Sequence, residues 1–128
     1  MRIAIAALIL LALAGCRDKS VELPSGIEAE LVGTVIEEQP DGEVWMILQV
    51  LAPDLGQSQI TSVETAGDTA FLCDTWGVPA AAEQTETPDQ IVVQIMSERI
   101  ERGQPAPGVA QVFAGYRLEG ESCIWEDF

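Results

Sequence analysis

Twenty-one carboxylates, six cations, three cysteines and no histidine set the chemistry open to this 128-residue chain. The missing histidine removes His-based triads, His metal ligands and the usual near-neutral proton shuttle. Paired carboxylates are the acid–base device that remains, and glycosidase chemistry needs two of them roughly 5 to 9.5 Å apart. In so acidic a chain some pair meets that spacing by chance, so no catalytic residue is assigned. Glu37, Glu38, Asp41 and Glu43 crowd one expected turn and offer oxygens suited to Ca²⁺. Their spacing matches no calcium-loop pattern, and a solvated turn is the simpler reading. Ser25 and Ser97 have no base nearby in sequence, and the nucleophile elbow, P-loop and dinucleotide fingerprints are absent. No cofactor and no metal site is predicted. The net charge of −15 repels nucleic acid and anionic head groups and would attract a cationic partner.

The cations are few enough to take singly. Beyond Arg2 they are Arg17, Lys19, Arg99, Arg102 and Arg117. Arg99 and Arg117 fall on or beside expected strands, with Glu98 next to the first. Two roles fit them: a bidentate site for an anion, since guanidinium is a planar fork, or ion pairs that pin strand ends. The second is favoured, because arginines among so many carboxylates find partners readily.

Cys16 belongs to a different chemistry. Arg2 is followed by an unbroken run of Ile, Leu and Ala from Ile3 to Ala14. A bilayer core takes about 20 apolar residues to cross, and this run has the length of a secretory h-region instead. It ends in Leu13-Ala14-Gly15-Cys16, which resembles the lipobox of bacterial lipoprotein precursors. The resemblance implies diacylglycerol transfer to the Cys16 thiol, cleavage after Gly15 and acylation of the new amino group. Residues 1–15 are then a cleaved signal peptide, 16–25 a lipidated tether and 26–128 the folded domain. Each buried methylene contributes about 0.8 kcal/mol, so several acyl chains anchor where one would be reversible. Arg17, not Asp, follows the cysteine, which points to the outer rather than the inner membrane, facing the periplasm. The expected partners are the membrane, through this anchor, and a protein of the cell envelope.

With Cys16 acylated, Cys73 and Cys123 are too few for a thiolate zinc site. In an exported chain two cysteines read as a disulfide, and a redox pair would more often be a close C-x-x-C. The elements around them follow from local signals. Arg17 to Pro24 is polar and shows no core residue pattern. Pro24-Ser25-Gly26 opens the domain, and Ile27 to Gln39 is a strand turned by Pro40-Asp41-Gly42. Glu43 to Leu51, apolar on both faces, reads as a central strand. A loop with a short apolar piece at Ile60 leads to a helix expected to start at Thr65, with Asp68 three residues on. Its stripe is Ala66, Thr69, Ala70, Cys73 and Trp76, widened by Phe71 and Leu72, and Gly77 with Pro79 ends it. Residues 80–89 are a helical turn or a loop. Gln90 to Ser97 is a strand, Ile100 to Val109 a loop, and Gln111 to Leu118 with Cys123 to Trp125 the last two strands. Trp45, Trp76 and Trp125 are expected in the core. The resulting fold is α+β: a single antiparallel sheet of about five strands, β-β-α-β-β-β, with one helix on one face. Cys73 on that helix would bond Cys123 and staple helix to sheet.

One pattern recurs in order: Pro24-Ser25-Gly26, Ala52-Pro53, Leu72-Cys73, Ile91-Val92, Ser97-Glu98-Arg99, Gln111 with Phe113, and Cys123-Ile124-Trp125-Glu126 with Phe128. It resembles an uncharacterised family of short exported bacterial proteins, with Glu98 where the family has Asp and Ala114 where an acidic residue is frequent. The resemblance supports the domain bounds and the cysteine pair and transfers no activity. The function expected is a non-catalytic, membrane-anchored binding or assembly module. The alternative is a small hydrolase using two carboxylates.

Overall fold

A computed structural model describes residues 19–56 and 61–126. Cys16 with its hydrophobic run, the piece at Ile60 and the terminal Phe128 lie outside them. The described chain forms β1 (Ser20–Glu22), β2 (Glu28–Glu38), β3 (Val44–Leu51), α1 (Ser62–Leu72), a π-helical turn (Cys73–Gly77), α2 (Val78–Ala82), β4 (Gln90–Met96), β5 (Gln111–Glu119) and β6 (Ser122–Glu126). The class is α+β, but the sheet departs from expectation in two ways. It has six strands in the order β1 to β6, and it is mixed.

β3 and β4 run parallel, from Trp45 beside Gln90 to Leu51 beside Met96. The other pairs are antiparallel. The helical crossover explains the parallel pair. A helix between two neighbouring strands returns the chain along the sheet, so the next strand starts where the last one did. The sixth strand is β1, which lies in the expected tether. Ser20 to Glu22 pairs with Glu28 to Glu30, and Leu23 is buried in the turn that follows. Leu23 N–H donates to Ile27 C=O at 2.8 Å, and Gly26, at φ +98°, closes the turn where a side chain would be strained. Three residues with one apolar side chain were too little pattern to announce a strand.

The helix starts earlier and ends later than the sequence suggested. Thr61 is the N-cap: its hydroxyl accepts from Glu64 N–H at 3.1 Å, and the Glu64 carboxylate accepts from Thr61 N–H at 3.0 Å. Thr65 and Asp68 therefore sit inside the helix. Gly77 and Pro79 do not stop it, because the hydrogen bonds widen to a π register, with Val78 N–H on Cys73 C=O. Pro79, which has no N–H, follows in the first turn of α2. Gly77 is packed so closely that a Cβ there would lie 3.2 Å from Ile91 Cγ2.

The sheet curls around this helix. Met46, Leu48, Val50, Ile91, Val93 and Ile95 pack against Leu72, Cys73 and Trp76. Asp68, 1% exposed, takes Ser25 N–H at 2.9 Å and Ser25 Oγ–H at 2.5 Å on one flank. The next residue, Thr69, meets the Tyr116 hydroxyl of β5 at 2.7 Å. On the face away from the helix, Gln49, Gln94 and Gln111 are linked side chain to side chain across β3, β4 and β5 at 3.4 and 3.1 Å. The β4–β5 loop turns back toward this face.

Candidate functional site

An open cleft of about 400 Å³ lies between the first turns of α1 and the end of the sheet formed by β5 and β6. Ser62, Thr65, Ala66 and Thr69 line one wall, and Val112, Phe113, Ala114 and Trp125 the other. The capping box holds the first helical turn in place. Thr69 is fixed by its bonds to Ala66 C=O at 3.1 Å and to Tyr116, whose own pKa is raised chiefly by burial. Cys73 and Cys123 are disulfide-bonded, with Cα atoms 6.3 Å apart, and tie the start of β6 to the helix below the cleft.

The apolar wall is not covered. Trp125 is 60% exposed at its lip, while the side chains of Phe113, 43% exposed, and Ile124 belong to the opposite face of the sheet. Trp125 was expected in the core, as was Trp76, which is buried. The signal for the difference was present: Cys123, Ile124 and Trp125 are three successive apolar residues on the last strand of the sheet. Their side chains alternate between faces, and among the described residues β6 has a neighbour strand on one side alone.

The sequence-derived candidates lie elsewhere. Arg99 is 3.7 Å from Glu30, and Arg102 makes a two-pronged contact with Glu37 at 2.5 and 3.0 Å. That contact holds the Glu37 carboxyl below its ordinary range and raises the Arg102 guanidinium. Arg117 bonds Glu126 at 2.8 Å and Glu119 at 3.2 Å. Arg99 and Arg102 thus meet separate carboxylates of β2, Arg117 meets those of β5 and β6, and the three do not converge on one anion. Glu98 is exposed at the rim of a smaller cleft of about 240 Å³ with Ser97 and Ala110. Ser97 Oγ accepts from Ala110 N–H at 3.1 Å, which closes the β4–β5 loop. Asp41 accepts from Glu43 N–H and Glu43 from Trp45 Nε1–H, so these turn carboxylates serve the hairpin. Among the described residues no three His, Cys, Asp or Glu side chains are placed to hold a metal ion.

The α1–β5–β6 cleft has no carboxylate in its lining. A third cleft, near 350 Å³, carries two, Glu38 and Glu86, both exposed. A family model matches residues 6–128, nearly the entire chain. The chain belongs to the family of unknown function DUF6497. No curated protein and no solved structure matches it. For DUF6497, then, the matched span takes in the lipobox-like segment and every described strand, and the family carries no activity that could be transferred.

Proposed function

We propose that the chain is a lipoprotein of the bacterial cell envelope, anchored through Cys16, whose domain is a non-catalytic binding module. The observation that carries this reading is Trp125: a large apolar side chain, 60% exposed, at the lip of an apolar cleft. Exposed aromatics beside a groove lined by small and hydroxyl side chains are the usual anatomy of an anchoring pocket for a partner. Support for the non-catalytic part comes from the lining itself, which offers hydroxyls and methyls and no acid, base or thiol. The envelope address rests on the Leu13-Ala14-Gly15-Cys16 segment.

The test places a photo-crosslinking benzophenone side chain at Ala66, an exposed position on the helical wall of the cleft, in cells carrying the full-length protein. Irradiation should give discrete adducts that weaken when Trp125→Ala is added. The same label at Asp41, in the β2–β3 turn, should not give them. Equal labelling from both positions, or no adduct from Ala66, would remove the cleft from the function.

A further inference from the structure

We infer that the partner is a basic, extended polypeptide segment that adds as a strand to the outer edge of β6 and places an apolar side chain in the cleft beside Trp125. This deepens the binding-module reading and rests on it. The two edges of the sheet are unequal. β1 is three residues long, and a short edge strand is one of the ordinary protections against edge pairing. β6 is five residues long, is the last strand of the sheet among the described residues, and has no lysine or proline. It shows Trp125 on the helix side and Ile124 on the other. Alternate N–H and C=O groups of an edge strand point away from its sheet, so an incoming strand finds a backbone template with apolar side chains on both faces.

Charge decides what that strand is. The β5–β6 hairpin carries Glu119, Glu121 and Glu126 against Arg117 alone, and Arg117 is already bonded to two of those three. The whole chain is at −15. A second copy pairing β6 to β6 would bring two such charges together, and an anionic lipid surface would meet the same repulsion. A segment carrying Lys or Arg between apolar residues is drawn in over a long range and then held by backbone bonds and one buried side chain. The cleft, at about 400 Å³, admits one such side chain and not a folded domain.

The experiment uses the full protein purified in detergent and a labelled synthetic peptide of alternating lysine and valine. Fluorescence anisotropy should show saturable binding that weakens as salt is raised. An alternating glutamate–valine peptide should not bind. A lysine–valine peptide N-methylated at every residue should also fail, because it has no backbone N–H left to donate to the edge. Trp125→Ala should weaken binding roughly tenfold or more while the circular dichroism stays unchanged, since Trp125 is mostly exposed. Equal binding of the N-methylated or the acidic peptide overturns the inference. So does self-association through β6 in sedimentation, or partition onto neutral vesicles with no peptide binding. If the Ala66 crosslinks form in cells but the lysine–valine peptide does not bind, this inference falls and the binding module stands. If neither is seen, both fall.

Discussion

Two arginines in one loop make unequal bonds. Arg102 grips Glu37 with two nitrogens, while Arg99 is 64% exposed and stands 3.7 Å from Glu30. An exposed, single-point ion pair contributes little because water screens it and two long side chains must be held still. A bidentate one at hydrogen-bond distance contributes about 1 kcal/mol or somewhat more. Arg99, singled out in the sequence as the strand-end pin, is therefore the weaker of the two. Arg102→Gln should lower the melting temperature by a few degrees and Arg99→Gln should leave it nearly unchanged, as paired thermal melts would show. The same contact makes a pH statement. Arg102 lowers the Glu37 pKa from the ordinary 4.5, so its stabilisation is fully present above that value. It is lost as the pH falls through the lower folded value. Melting temperature followed from neutral pH into acid should fall less steeply in Glu37→Gln than in the parent, and parallel curves would contradict the assignment.

At the scale of elements, the disulfide is the largest single contribution that can be isolated. It closes a loop of 50 residues between the π-helical turn and β6. Chain entropy puts that at about 4 kcal/mol, so the Cys73→Ser, Cys123→Ser double variant should melt about 15 °C or more below the parent by calorimetry. Elements whose residues carried their own signal were legible before any coordinates. The hairpin around Pro40-Asp41-Gly42 was, since proline and glycine dictate that turn, and so was β4, whose seven residues are all buried. The helix was legible in existence but not in its ends. Its true cap at Thr61 stands beside a loop with no periodicity, and a π register that tolerates Pro79 leaves no mark in spacing. The parallel pairing of β3 and β4 follows from the crossover, and local alternation says nothing of strand direction. The cleft was hidden for a related reason. Val112 and Ala114 meet Ser62, Thr65 and Ala66 through tertiary packing alone, and the exposure of Trp125 depends on β6 being last in the sheet.

For the molecule as a whole, the proposed anchor and the first strand are nearly contiguous. Arg17, Asp18 and Lys19 alone separate Cys16 from Ser20, a reach of about 14 Å at full extension. The domain would ride close to the membrane surface, without the longer tether expected from residues 16–25. Cys16→Ser should block lipidation and move the protein out of the membrane fraction, or stall it as precursor. A processed variant that still sediments with membranes would contradict the anchor. The strand order then sets where the cleft is offered. β1 and β6 are opposite ends of the sheet, five interstrand steps or about 24 Å apart if flat and less when curled.

That arrangement has a mechanical side. A partner pulling on β6 against an anchor held at β1 would load the sheet across its strands, the direction in which ladders unzip row by row. The helix offers another route for the force. It is bolted to β6 by the Cys73–Cys123 bond and clasped to the β1–β2 turn by Asp68 on Ser25. Tension is carried along a short length of helix, with the six strands lying alongside as a sling. One coupling is covalent and the other is a pair of hydrogen bonds, so the two do not fail together. Under such a load β1, which lies between the anchor and Ser25, would peel from β2 before the clasp is reached, and the disulfide would hold β6. The first strand is a fuse placed on the anchor side.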